Sequence, residues 1–79
     1  MILVPVFDTF RYEAKLISQD NGLKVVVFPD FREIEPLAFQ PDVAESDIQR
    51  TCRVSLERAF RNRVEQGKLI PVPYESKIL

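Results

Sequence analysis

Two periodicities divide the chain, a two-residue alternation in its first half and a helical repeat in its second. Residues 10–16 alternate between apolar and charged side chains, which predicts a half-buried strand. Asn21-Gly22 then favours a tight hairpin turn, because this pair supplies the positive φ angles that such turns need. Residues 23–28 are the predicted returning strand, apolar enough to be covered on both faces, and residues 37–40 are a third, shorter strand.

Between residues 43 and 66 apolar positions recur every three or four residues, as they do along one side of a helix. This stripe consists of Ala44, Ile48, Cys52, Leu56, Ala59, Phe60 and Val64. Asp42 is the expected N-cap, and Gly67 is the expected left-handed residue after the last turn. One sheet face seldom needs so broad a stripe, so residues 56–64 are expected to contact something beyond the sheet. The pattern predicts an α+β fold, with one long helix packed on an antiparallel sheet of three to four strands.

Composition limits both the size of the core and the chemistry available. A chain of 79 residues makes one domain, residues 1–79, and domains of roughly this size usually need a disulfide, a metal or a partner for stability. The single cysteine, Cys52, excludes an internal disulfide, and the lack of histidine removes the commonest zinc ligand and general base. A homo-oligomer (dimer or tetramer) is therefore expected. Cys52 lies within the apolar stripe and is expected to be a buried thiol rather than a nucleophile.

Membrane insertion and export both leave signals in a sequence. No apolar run approaches the ~20 residues that span a membrane, and the first residues lack the basic segment of a signal peptide. The expected location is the cytoplasm, with no membrane partner.

Charge is unevenly distributed although the net charge is only −1. Residues 28–47 are rich in acids and residues 48–68 in bases, an arrangement that stabilises a helix dipole. A ladder of alternating charges four residues apart adds to this, formed by Arg53, Glu57, Arg61 and Glu65. Arg50, Arg58 and Arg63 are outside the ladder, so they are candidates for contacting an acidic or phosphate-bearing partner.

Several motifs occur in an order that is typical of one family. They are Tyr12-Glu13-Ala14, Asn21-Gly22, Val25-Val26-Val27-Phe28-Pro29-Asp30-Phe31 and, after the helix, Gly67-Lys68-Leu69-Ile70-Pro71-Val72-Pro73. In this order the chain resembles the N-terminal domain of HicB-like antitoxins. The resemblance implies a β-β-β-α core related to the double-stranded-RNA-binding fold. It also implies binding to HicA, a small ribonuclease toxin, whose action the antitoxin blocks, and frequent oligomerisation.

The chain departs from the family pattern at several places. The usual Pro-Gly-Cys-like turn is absent after Asp30, and Gln40-Pro41-Asp42-Val43 replaces a Gly-Asp-Thr-like helix entry. The DNA-binding domain of many members does not follow within the 79 residues, so autorepression is not expected. Residues 1–9 precede the usual start and are expected to add an edge strand, since Pro5 is tolerated only at an edge. Residues 74–79 are the expected short tail.

The resulting hypothesis is a non-catalytic module that covers a basic nuclease surface. Without histidine and without a glycine-rich loop, neither a catalytic triad nor a phosphate-binding loop is available, and no cofactor or metal is expected. Carboxylates in the loop after the second predicted strand are expected to be solvated rather than metal-bound. The expected partner-binding residues are Phe28, Asp30, Phe31, Glu33, Ile34, Glu35, Arg50, Arg58 and Arg63.

Several alternatives stay open at this point. Phe28 and Phe31 could be core residues instead of surface anchors, in which case alanine at Phe31 unfolds the domain rather than only weakening the partner. The target could be another nucleic-acid enzyme, with the chain acting as a stand-alone inhibitor or decoy encoded by a mobile element. The helix arginines could also bind RNA or DNA directly, although the net charge of −1 argues against this.

Overall fold

Four strands and two helices follow one another along the chain. The computed structural model describes residues 2–77, with side chains through residue 75. The elements are β1 (Ile2–Val6), β2 (Phe10–Ser18), β3 (Lys24–Val27), β4 (Leu37–Phe39), α1 (Glu45–Glu65) and α2 (Tyr74–Lys77). The strands form one antiparallel sheet in the order β1-β2-β3-β4, which confirms the predicted α+β fold and its N-terminal edge strand. No helix within residues 2–77 is long and apolar enough to cross a membrane.

Strand β2 divides its pairing between two neighbours. Its first half pairs with β1, from Val6 opposite Phe10 to Ile2 opposite Ala14. Its second half pairs with β3, and residues 24–26 of β3 then pair with β4. The β2–β3–β4 end of the sheet therefore extends past β1, while α1 packs against β1.

One core lies between the helix and the inner face of the sheet. Its buried residues are Val4, Val6, Tyr12, Ala14, Val26, Phe28, Phe31, Ile48, Cys52, Leu56 and Ala59. The strand positions in this set alternate along the chain and the helix positions recur every three or four residues, as the two periodicities predicted. The predicted tail, residues 74–79, contains α2 over Tyr74–Lys77, which packs against β2, and its last two residues lie outside the described part.

The two ends of α1 differ in how well the sequence predicted them. The N-cap is Ala44, in an extended conformation without a side-chain capping bond, so the prediction of Asp42 is wrong. Asp42 lies instead in the turn closed by the bond from the Val43 N–H to the Gln40 carbonyl. The C-terminal prediction is confirmed, because Gly67 has a φ of +69°. This left-handed residue ends the helix in a Schellman arrangement.

The β1–β2 turn has an unusual backbone. Phe7 and Asp8 have φ angles of 52° and 56°, a region that residues with a side chain rarely adopt. Such conformations cost about 1–3 kcal/mol each and persist only where surrounding contacts enforce them. No glycine or asparagine marks this turn in the sequence, so the pattern along the chain gave no sign of it.

Contacts from α1 hold the Phe7 turn in place. The Phe7 N–H donates a hydrogen bond of 3.0 Å to Oε2 of Glu57. The Phe60 ring packs edge-on against the Phe7 ring at 5.5 Å, and the Arg61 guanidinium lies 5.0 Å from the same ring. Two residues of the predicted helical ladder, Glu57 and Arg61, thus contact the turn. Leu56 itself is in the core, and contact of residues 56–64 with something beyond the sheet stays a prediction.

Candidate binding surface

The loop between β3 and β4 contains six of the nine predicted partner-binding residues. Within it, the structure corrects the expected role of Phe28 and Phe31, which lie in the core with 4% and 0% of their surface exposed. Two successive tight turns explain this, since the Phe31 N–H bonds to the Phe28 carbonyl and the Ile34 N–H to the Phe31 carbonyl. The chain folds back on itself and directs Phe31 inwards. Ile34 is half-buried against the same core.

Arg63 ties this loop to the end of α1. Its guanidinium makes two bonds of 2.7 Å to the Glu33 carboxylate. It also donates to the backbone carbonyls of Asp30 at 3.2 Å and Leu69 at 3.3 Å, and it lies 4.6 Å from the centre of the Phe31 ring. These contacts use four of the five N–H donors of the planar guanidinium. Arg63 and Glu33, both predicted to contact a partner, therefore contact each other.

The same contacts set the ionisation of the pair. The hydrogen bonds from Arg63 lower the pKa of Glu33 below its ordinary value, and the bonds to Glu33 raise the pKa of Arg63. Each shift favours the charged form of its group, and the Arg63 side chain is only about one fifth exposed.

Tyr12 joins the loop to the segment after α1. Its ring is fully buried and meets the Phe31 ring edge-on at 5.1 Å. Its hydroxyl donates a hydrogen bond of 2.8 Å to the carbonyl of Pro71. Burial, with a further contribution from Asp30, raises the pKa of Tyr12, so the hydroxyl stays protonated as a donor. The sequence places Tyr12 on the inner face of β2 but does not reveal its partner, which lies 59 residues away.

Three of the exposed carboxylates lie close to strand β4 along the chain. Glu35 precedes this strand, and Asp42 and Glu45 follow it, and all three are exposed. We call these three residues the acidic edge. Strand β4 is the last in the sheet, so its outer backbone groups do not take part in the ladder with β3. A terminal strand flanked by carboxylates suits a basic surface.

Arg50 and Arg58 lie apart from the loop, on the exposed side of α1. Arg50 bonds to Asp47 one turn earlier at 3.0 Å, so it does have a helical partner. The nine predicted residues therefore do not form one surface. Phe28 and Phe31 are core residues, Glu33 and Arg63 pair with each other, and the other two arginines lie on the exposed side of α1.

Cys52 is fully buried in the middle of α1. Burial raises the pKa of its thiol to about 11, which lowers the fraction of reactive thiolate. We expect a thiol reagent at pH 8 to modify the native chain at least ~100-fold more slowly than the urea-unfolded chain, since about two pKa units alone give this factor. Absorbance of the released reagent measures both rates, and equal rates would contradict the burial.

No group of three acidic or cysteine side chains in the described part of the chain comes close enough to hold a metal ion. The carboxylates of residues 30–35 thus do not gather at one point; Glu33 is turned towards Arg63.

Comparison with known proteins finds no relative from which a function for this surface could be inferred. No family model matches the chain, and neither the curated proteins nor the solved structures contain a match. The assignment of a function rests on the geometry of the chain and on its motifs.

Proposed function

We propose that this chain is a non-catalytic protein-binding module that covers the basic surface of a small HicA-type ribonuclease, as HicB-like antitoxins do. The observation that carries the proposal is the acidic edge. Its carboxylates are exposed, and in the chain Glu35 precedes the terminal strand β4 whereas Asp42 and Glu45 follow it. A nuclease surface that binds RNA phosphates is basic, and complementary charge accelerates its capture and fixes its orientation. Action in the cytoplasm and self-association are parts of the same proposal.

The arrangement of elements supports this proposal. Strands β2, β3 and β4 followed by α1 give the β-β-β-α order that the resemblance implies, with β1 added before it. The motifs before and after the helix also meet in space, because the Tyr12 hydroxyl bonds to the Pro71 carbonyl and Arg63 donates to the carbonyls of both Asp30 and Leu69. On this evidence the motif residues build the scaffold, and residues outside the motifs make the contact with the partner.

Three of the five arginines of α1 contact other side chains of the chain, which does not favour the alternative of direct nucleic-acid binding. Arg63 is directed inwards to Glu33, Arg50 is paired with Asp47, and Arg61 lies over the Phe7 ring. We expect no binding of double-stranded RNA or DNA at low salt, where phosphate contacts are strongest. Fluorescence anisotropy of labelled duplexes measures this, and a salt-dependent signal would favour nucleic-acid binding instead.

The protein-binding proposal is tested by affinity purification of the tagged chain from its source cells, followed by mass spectrometry and an RNA cleavage assay. The expected result is a small basic ribonuclease in near-equal amount, whose cleavage stops when an equimolar amount of the chain is added. Capture of a different nucleic-acid enzyme, inhibited in the same way, would support the stand-alone inhibitor. A captured protein whose activity is unchanged would contradict both.

The variant Glu35→Lys tests the acidic edge with that partner. Reversing one interface charge is expected to weaken the complex roughly tenfold and to reduce its dependence on salt. Glu65→Lys is the matched control, because Glu65 is equally exposed but lies at the far end of α1. Isothermal titration calorimetry at two salt concentrations measures both. Equal weakening by the two variants would show that net charge, not the acidic edge, determines binding.

A further inference from the structure

We propose that the outer face of the sheet at its β2–β3–β4 end is the docking site for a second copy of this chain. The surface consists of Ile17, Val25 and Ala38, which lie side by side on three neighbouring strands; we call it the distal row. This inference rests on the self-association that the proposed function includes and names the surface for it, whereas partner binding at the acidic edge is tested separately.

The register places the distal row on the side of the sheet away from the helix. Tyr12 and Ala14 of β2 face the core, so Ile17, at an odd spacing from both, faces the other side. Val25 is the direct partner of Ile17, and Ala38 is the direct partner of Val25. Ile17 is 50% exposed and Ala38 is also exposed. The apolar run of residues 23–28 predicts a strand covered on both faces, yet Val25 on its outer face is only half-buried.

Charge along β2 favours a second copy over a basic partner at this position. Lys15 lies two residues before Ile17 on the same face, and Asp20 lies three residues after it in the hairpin turn. A two-fold axis through the distal row brings Lys15 of each copy towards Asp20 of the other. One cation and one anion on opposite sides of an apolar row make the surface complementary to itself, as a two-fold interface requires.

The solvent-accessible surface of the chain is larger than expected for a compact monomer, as it would be if a partner normally covered part of it. The chain exposes 5429 Å², whereas a compact monomer of 9.2 kDa exposes about 4,900 Å². The difference, roughly 500 Å², is of the same order as the ~800 Å² that each partner buries in a standard interface.

Analytical ultracentrifugation of the full chain tests the proposal. From about 1 µM to about 1 mM, the range that covers weak and standard interfaces, we expect a concentration-dependent mass that reaches twice 9.2 kDa. Ile17→Lys is expected to raise the dimer Kd about 30-fold or more, as loss of a central apolar contact does. Val54→Lys is the matched control, because Val54 is 48% exposed on α1 and should leave the dimer intact.

Exchanging the two charges gives a second test, which holds even if the Ile17 variant fails to fold. Lys15→Asp and Asp20→Lys should each weaken the dimer roughly three- to fivefold, and combining them should restore it. A wild-type chain that stays monomeric throughout would overturn the proposal. So would a dimer that responds equally to the Ile17 and Val54 variants, or single charge variants whose effects add instead of cancelling.

Discussion

Replacing Phe31 by alanine is expected to lower the free energy of unfolding by about 3–5 kcal/mol, the cost of truncating a fully buried aromatic side chain. Phe31 is 0% exposed and its ring lies between the Tyr12 ring at 5.1 Å and the Arg63 guanidinium at 4.6 Å. The whole stability of a 79-residue domain is only about 4–12 kcal/mol, so the substitution should remove at least about a quarter of it and would unfold a domain at the lower end of that range. Urea unfolding followed by circular dichroism, at one fixed protein concentration, measures the change.

Phe10→Ala is the matched control for this experiment. Phe10 is 36% exposed and stacks on Phe60 at one side only, so its loss should cost roughly 1–2 kcal/mol. A Phe31 variant with wild-type stability and weakened partner binding would restore the hypothesis that this residue is a surface anchor. Equal losses at the two positions would mean that the loop between β3 and β4 does not pack as described.

The second large effect is expected for Arg63→Ala, which should lower the free energy of unfolding by about 2 kcal/mol. The hydrogen bonds of the guanidinium to two backbone carbonyls and its position over the Phe31 ring account for most of this value. The ion pair adds little at neutral pH, because the Glu33 side chain is 45% exposed. Arg58→Ala, on the exposed side of the same helix, should change stability by less than about 0.5 kcal/mol.

The pH dependence of the Arg63 effect follows from Glu33. Because Arg63 lowers the pKa of Glu33 in the folded chain, the stabilisation from this carboxylate is present above the pKa of the unfolded chain. It is lost as the pH falls through the lowered folded value. The stability difference between wild type and Arg63→Ala should therefore shrink from pH 7 to about pH 3, but only by the small contribution of this exposed pair. A difference that stays constant over this range would assign the whole effect to the backbone carbonyls and the ring.

The strands and the long helix could be predicted because their signals are local. The alternation of β2 and the three- and four-residue repeat of α1 each reflect one buried face of one element. Pro5 likewise limited β1 to an edge, and Gly67 marked the end of α1, since both act through their own backbone.

The candidate surface was harder to predict because its residues are positioned by distant parts of the chain. Glu33 and Arg63 are 30 residues apart, and no spacing rule relates them. The residues next to Phe31 in the sequence do not distinguish it from an exposed aromatic residue. Only the two turns that begin at Phe28 direct its side chain inwards. The ion pair of Arg50 with Asp47, in contrast, is predictable from the sequence, because residues three positions apart on a helix are neighbours.

The position of α1 over β1 has a consequence for the chain during its synthesis. Val6 leaves the ribosome first, but it is covered by a helix whose last core residue, Ala59, is added 53 positions later. At about 5–20 residues per second, this leaves the apolar N-terminal strand uncovered for roughly 3–10 s. During that time the β2–β3 hairpin can already form, since its contacts are local. The apolar inner face of β1 is therefore covered only once α1 has been synthesised.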